Sequence, residues 1–348
     1  YTSVNTLSLH DALPISLQLD LLSEGVDIVS LNGTYGLERQ CNEVHLSAGN
    51  FRVESLNGSS SNKANPFFAF RNNDGLYYAS NLIYSGNHLE TIDVNAASRL
   101  HYLCGLHDAY FDASLKPGDS FASPEAVFLC DSTLEEVTSS FHSFINQHIL
   151  NPKFANRTRP LLVNTWEAVY FAFSRAKLEA TARKAKELGL EMVVLDDGWF
   201  GHRNDDTSSL GDWFDNEKKT GGMANLSRYV HQQGLQFGFW VEPEMICEDS
   251  ELYRAHPEYA LTLPGLEPLR MRNQLIIDLV NPEVAEYLFE RLSTLVSEIQ
   301  PDYLKWDCNR VFTDYPRGGL YLFNYAKALY RLFARLGERF PNLLIESC

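Results

Sequence analysis

Carboxylates and indoles recur together at short spacing in this sequence: Trp166-Glu167, Asp196-Asp197-Gly198-Trp199, Trp240-Val241-Glu242-Pro243-Glu244, Lys305-Trp306-Asp307 and Glu346-Ser347-Cys348. Carboxylates accept hydrogen bonds from hydroxyls, and an indole face packs on the C–H face of a pyranose, so the combination suits sugar recognition. Lys305 precedes Asp307 by two residues. In a strand such a pair projects to one side, and the ammonium keeps the carboxylate ionised, as a nucleophile requires. The bland alternatives are a structural Lys–Asp pair at a strand end and an Asp that merely caps a helix. Other chemistries lack their residues. The ten histidines sit singly, without metal-ligand spacing. Asn204-Asp205-Asp206 lacks the twelve-residue calcium pattern, Gly221-Gly222 is a turn rather than a phosphate loop, and no G-x-G-x-x-G opens a dinucleotide site. Neither a cofactor nor a metal is expected.

These clusters need a frame, and the sequence changes period along its length. From 17 to 131, short aromatic and β-branched runs alternate with turn chemistry. The runs are Val26–Leu31, Glu43–Leu46, Phe51–Leu56, Pro66–Arg71, Leu76–Tyr84, His88–Val94, Arg99–Leu106 and Phe121–Cys130. Asn32-Gly33, Asn57-Gly58, Asn73-Asp74-Gly75 and Pro117-Gly118 separate them, and the pattern predicts a β-sandwich domain. Residues 132–159 are predicted as a linker helix and linker: Ser132-x-x-Glu135 reads as a capping box, apolar residues follow at helical spacing over 133–149, and Asn151–Pro160 is polar and proline-bounded. From 160 to 348, strand and helix alternate. Pro160–Val169, Glu191–Asp196, Leu235–Val241, Pro301–Asp307 and Leu343–Ser347 read as strands. Helices are predicted after Ser174 (with Leu178, Ala182, Ala185 and Leu188 on one face), near 224–233, from Asn281-Pro282 and over Asn324–Phe340. Such units imply parallel pairing, in an open doubly wound sheet or a barrel. Each predicted strand ends in one of the clusters, and in a (β/α)₈ barrel all carboxyl ends share the face that holds the active site.

Composition narrows the partners. Of 348 residues 45% are hydrophobic and 21% charged, enough for packed cores in two domains. The net charge of −16 repels phosphate backbones and anionic lipid, so neither nucleic acid nor a membrane is expected as partner. Cys41, Cys104, Cys130, Cys247, Cys308 and Cys348 are widely spaced and suit reduced thiols in a cytoplasm. Residues 1–16 lack Lys, Arg and an apolar core, so they are no signal peptide. They resemble translated adaptor read-through and are expected to be non-native or unstructured. The final Leu343–Cys348 reads as an interrupted strand, so a fragment clipped at both ends is expected.

The segments Trp166-Glu167-Ala168, Leu195-Asp196-Asp197-Gly198-Trp199-Phe200-Gly201, Ser208-Ser209-Leu210-Gly211-Asp212-Trp213, Gly238-Phe239-Trp240-Val241-Glu242-Pro243-Glu244-Met245, Arg272-Asn273-Gln274-Leu275 and Lys305-Trp306-Asp307-Cys308-Asn309-Arg310 together resemble glycoside hydrolase family 36, the bacterial α-galactosidases. With Asn65-Pro66-Phe67-Phe68 and Tyr84-Ser85-Gly86-Asn87 the likeness spans about residues 24–348. It implies a β-supersandwich followed by an incomplete (β/α)₈ TIM barrel, its first five strands present. It implies retaining hydrolysis of galacto-oligosaccharides such as melibiose and raffinose, with Asp307 as nucleophile. Asp196 and Asp197 would bind hydroxyls around C4 and C6 beside Trp240; Arg272, Lys305 and Asn309 would hold other hydroxyls; Trp166 would wall the sugar, and Cys348 would lie near O2. Family members are often tetramers, which implies a homo-oligomer. Two departures stand out. Phe111-Asp112-Ala113-Ser114-Leu115 lacks the Trp of the family's F-x-W-x-L segment. The acid/base Asp belongs to a sixth strand that this chain does not reach, so the fragment is expected to be inactive alone. The alternatives are an α-galactosyl transglycosylase of the raffinose-synthase type, an α-N-acetylgalactosaminidase and a non-catalytic galactoside-binding protein.

Overall fold

A computed structural model describes residues 7–8, 15–61, 63–316 and 318–348. The chain divides into two compact units, Tyr1–Ala155 with Tyr315–Ala326, and Asn156–Asp314 with Lys327–Cys348.

The first unit is built of antiparallel strands β1 (Ile15–Leu22), β2 (Val26–Thr34), β3 (Leu37–Leu46), β4 (Gly49–Ser55), β5 (Ala64–Arg71), β6 (Tyr77–Ile83), β7 (His88–Val94), β8 (Arg99–Leu106) and β9 (Glu125–Asp131). They form one sheet of order β9-β6-β5-β2-β3 and another of order β1-β8-β7-β4. Inward residues of the first, Val26, Ile28, Phe68, Phe70 and Leu82, pack with Val53, Ile92, Val94, Leu100 and Tyr102 of the second. Each such buried side chain contributes roughly 1.5–3 kcal/mol, which is what makes alternating strands close into a sandwich. Two expectations fail here. The start of the chain is not wholly without structure: Leu7–Ser8 pairs with Ser114–Leu115, and β1 begins at Ile15 opposite Gly105. Its Leu17, Leu19 and Leu21 alternate into the core, so β8 supplies the partner that the isolated segment lacks. The other calls on residues 1–16 fall outside the described residues. The helix cap is also shifted by one residue. Helix α1 (Leu134–Phe144) is capped by Thr133, whose side chain accepts from Glu136 N, while Glu136 takes the Ser132 hydroxyl at 2.7 Å. Val137 and Phe141 of α1 bury against Val29, Ala69 and Ala79 on the sandwich's outer face.

The second unit carries the parallel strands β10 (Leu162–Asn164), β11 (Met192–Leu195), β12 (Gln236–Val241), β13 (Tyr303–Trp306) and β14 (Leu344–Ser347), paired in sequence order. A doubly wound sheet reverses order at a switch point. Strictly sequential neighbours are the start of a barrel, which removes the open-sheet alternative. Helices α2 (Arg175–Glu187), α3 (Met223–Gln232), α4 (Pro282–Ile299) and α5 (Tyr321–Arg339) link the strands. Asn281 caps α4, its side chain accepting from Glu283 N, and the predicted stripe Val284, Leu288, Leu292, Leu295 and Ile299 is buried. Leu188 corrects the predicted α2 face: it follows the last helical turn and is 66% exposed. Ser174 stands at the α2 N-cap position without a side-chain hydrogen bond. The predicted strand 160–169 is shorter too. It ends at Asn164, Thr165 turns to helical dihedrals, and Trp166–Val169 forms one helical turn, with Asn164 Oδ1 accepting from Trp166 N at 2.8 Å.

Candidate active site

Side chains in register on a parallel sheet share a face, and the period of two fixes the next layer. Val194, Gly238, Tyr303 and Leu344 pair in one row across β11 to β14. Two residues on, Asp196, Trp240, Lys305 and Glu346 form a second row. The ladder continues past the strand ends, with Asp307 N donating to Val241 O at 2.9 Å and Cys348 N to Trp306 O at 2.7 Å. Asp307 and Cys348 therefore form a third layer at the carboxyl rim. This face encloses a cleft of about 330 Å³ lined by Leu162, Asn164, Trp166, Lys305, Glu346 and Cys348 among others.

Asp307 Oδ2 accepts the Trp240 indole N–H at 2.9 Å, and its Oδ1 accepts Cys308 N at 2.9 Å. Trp240 is buried and stacks on Phe200, with planes 7° apart, so its N–H is held in a fixed direction. Lys305 Nζ donates to Asp196 Oδ2 at 3.0 Å, and Asn164 Nδ2 reaches the same oxygen at 2.6 Å. Lys305 is thus bonded to Asp196, two strands away in the sheet, rather than to its strand-mate Asp307, a correction to the sequence reading. Burial works against the ammonium, but Asp196 outweighs it and, with Asp307, holds Lys305 above its ordinary range. Glu346 is pushed up by burial and by the charge of Asp196. The Cys348 thiol is pushed up to about 11 by burial and by Asp307, so it is a neutral donor at physiological pH.

Asp197 points elsewhere. Arg203, fully buried, donates to Asp197 Oδ1 at 2.6 Å and Oδ2 at 2.8 Å, a bidentate pair. Burial nonetheless lifts the Asp197 carboxyl above its usual value. Behind the Asp307 loop lies a second acidic group. Buried Glu242 accepts from Asn309 N and from Gln274 Nε2 at 3.1 Å, and Glu244 accepts from Trp306 Nε1 at 3.0 Å. Burial, with Asp307 nearby, pushes Glu242 up to about 7.

Of the residues singled out from sequence, Asp196, Trp240, Lys305, Asp307, Cys348 and Trp166 converge on the cleft or on one another. Asn309 joins through its backbone, bonded to Glu242. Arg272 does not converge: it is exposed in the 271–274 turn at φ 53°, and no hydrogen bond or ion pair ties it to the cleft among the described residues. The sequence reading assigned no role to Asn164, Arg203 or Glu242. Glu242 stands inside the quoted Trp240–Glu244 motif at a strand end, and Asn164 lies within the predicted strand 160–169, two residues before Trp166, so position was the only signal. Arg203 carried none, since its pairing with Asp197 depends on a loop closing back.

Comparisons with known proteins bear on the family of the chain. Residues 120–348 match the family model described as Melibiase, and residues 2–116 match the glycosyl hydrolase family 36 N-terminal domain. The chain is 39% identical to alpha-galactosidase Mel36A of Lactobacillus acidophilus, over 96% of this chain and 47% of that protein. It is 38% identical to alpha-galactosidase AgaA of Geobacillus stearothermophilus, over 96% and 48%. Among solved structures, the alpha-galactosidase of Lactobacillus brevis superposes with a TM-score of 0.93 at 39% identity, over 96% of this chain and 47% of that one. A variant AgaA in complex with raffinose also gives 0.93, at 37% identity, over 96% and 48%. The chain spans about half the length of the curated relatives it matches.

Proposed function

The chain belongs to glycoside hydrolase family 36, and from that premise we propose that it serves a retaining α-galactosidase in which Asp307 attacks the anomeric carbon of a terminal α-galactoside, melibiose and raffinose being representative substrates. The observation that carries this reading is the Trp240–Asp307 bond at the rim of the partial barrel. It fixes the carboxylate at the rim beside Lys305 and Cys348, which line the cleft, and leaves it lone pairs for attack. Asp196 and Lys305, bonded to each other, offer an acceptor and spare donors to the sugar's hydroxyls. An epimer with O4 reversed would leave these groups unpaired, at about 1–3 kcal/mol each. Cys348 supplies a neutral donor near O2. Asn309, Trp166, Asp197 and Arg272 complete the proposed sugar contacts; for Asp197 this reading requires a lone pair that the Arg203 clamp leaves free, and for Arg272 it requires the 271–274 turn to close over the ligand.

A retaining mechanism needs a second carboxyl about 5–5.5 Å from the nucleophile to protonate the leaving oxygen. Asp196 and Asp197 are ion-paired, and the Glu242 oxygens are taken by Asn309 N and Gln274 Nε2. Glu346 lies one layer deeper than Asp307, on the floor side, whereas a leaving group departs through the mouth. We therefore place the general acid outside the residues of this chain, which taken alone does not turn over. Among the described residues no helix is long and apolar enough to cross a membrane. The finer reading is a cytoplasmic enzyme that assembles as a homo-oligomer, supported by six unpaired cysteines for the first and by family resemblance for the second.

The test is hydrolysis of an aryl α-galactoside by the polypeptide extended through its downstream coding sequence. Asp307→Asn should cost at least about 10³-fold, because no other group can form the galactosyl ester. Activity within tenfold of the parent would remove Asp307 from the mechanism.

A further inference from the structure

The loop that carries Asp307 is not held by the strand alone. Asp307 N still continues the ladder onto Val241 O, but residues 308–310 then turn without helical or sheet bonding of their own. Glu242, at the end of neighbouring β12, reaches under that loop and accepts its Asn309 N–H. The other carboxylate oxygen accepts Gln274 Nε2 at 3.1 Å, from the strand Leu275–Ile276 side of a hairpin with Met245–Ile246. Arg310 closes the ring, its guanidinium donating to Gln274 O. Glu242 and Gln274 are both almost fully buried, and among the described residues Gln274 Oε1 has no hydrogen-bond partner.

We propose that Glu242 is a positioning residue for Asp307: it ties the 307–310 loop to the 274–276 hairpin and exchanges a proton with solvent without releasing that loop. In the ionised form both oxygens accept, as seen. When Glu242 takes a proton from water on Oε2, Oε1 still accepts Asn309 N–H. A half-turn of the Gln274 amide then presents its unpartnered Oε1 to the new O–H. The orphan oxygen supplies the acceptor that the protonated state needs. The groups that face Glu242 set the balance: Asp307 and Asp197 oppose its charge, Arg203 favours it, and the Arg310 guanidinium and the Cys247 and Cys308 thiols sense it. The consequence is that Asp307 sits beside a carboxyl that changes charge near neutrality while the backbone beneath it stays put. The catalytic meaning of this rests on Asp307 being the nucleophile; the latch itself does not.

The Trp240 indole N–H, bonded to Asp307, reports the outcome without any substrate. In ¹⁵N-indole spectra of the chain, assigned with Trp240→Phe, the Trp240 signal should titrate with a midpoint near 7, the value at which Glu242 exchanges its proton. Glu242→Gln should remove that titration while keeping the peak near its parental position, because the amide oxygen still accepts Asn309 N–H. Glu242→Ala should displace or broaden the peak at every pH. A parental titration that survives unchanged in Glu242→Gln, or an absent one in the parent, overturns the proposal. So does an unmoved peak in Glu242→Ala. Failure of the hydrolysis assay would leave these spectra unaffected, and failure of the spectra would leave the nucleophile assignment standing.

Discussion

At the level of single residues, the site is an arrangement of paired charges at the rim of the partial barrel, with Asp307 held there by the Trp240 indole. Asp197 and Arg203 show how much hangs on pairing. Both are buried, and the guanidinium meets the carboxylate through two parallel bonds. Arg203→Ala should destabilise the fold by about 3–5 kcal/mol, since it strands a buried carboxylate. Denaturant melts would check this, and a loss below about 1 kcal/mol would mean that water reaches Asp197. Glu242 gives the pH dependence. Its folded value of about 7 lies above the ordinary 4.5, so the folded state binds this proton more tightly than the unfolded chain. Stability from this group is therefore fully present below about 4.5 and is lost as pH rises to about 7. The loss is on the order of 3 kcal/mol, at 1.4 kcal/mol per unit. Melting profiles of the parent should fall relative to Glu242→Gln across that window, and parallel profiles would contradict the shift.

Among the elements, β12 has the tightest tolerance. Gly238 lies in the row between Val194 and Tyr303, and a Cβ there would meet Tyr303 Cδ1 at 2.8 Å, Tyr303 Cβ at 2.9 Å and Tyr303 O at 3.0 Å. Two of those atoms belong to the partner strand's backbone or its first side-chain carbon and cannot swing away. Gly238→Ala should cost about 1–3 kcal/mol by overpacking, and it should perturb the Lys305–Trp240 row one layer above. Unchanged thermal stability would show that β13 can shift. The same element logic explains which strands were readable. His88–Val94 and Arg99–Leu106 are strands at the bounds that their alternation indicates. Leu17-Gln18-Leu19-Asp20-Leu21 carries the same alternation but adjoins the featureless start of the chain, which masks it. Trp166 was read as the end of a strand because apolar residues run on past Asn164. The helical turn there is set by the Asn164 side chain capping Trp166 N, a local choice that composition does not announce.

For the whole molecule, the parallel sheet begins at β10 and stops at β14, so each of these strands has one unpaired side within the described residues. Exposed edges of this kind template association, and Leu161, 62% exposed beside β10, adds apolar surface there. The chain should aggregate with a rate that climbs with concentration, and Leu161→Lys should slow it several-fold by placing charge at the edge. Light scattering would decide; equal rates would direct attention to another surface. The net charge of −16 works against association, so added salt should speed it.

Taken by itself, the sequence determined the local quantities. The switch from alternation to βα repetition, the buried stripe of α4 and the placing of carboxylates and indoles at strand ends are all set by periods of two and 3.6 and by residue type. Only the tertiary structure decided the partners. Lys305 could be placed on the same side as Asp307, but its bond to Asp196 depends on a strand more than a hundred positions earlier in the chain standing two places away in the sheet. The clamp of Arg203 on Asp197, the support of Asn309 by Glu242 and the isolation of Arg272 depend likewise on where loops return. Hydrogen bonds act over about 3 Å, whereas periodicity specifies a face and not a neighbour.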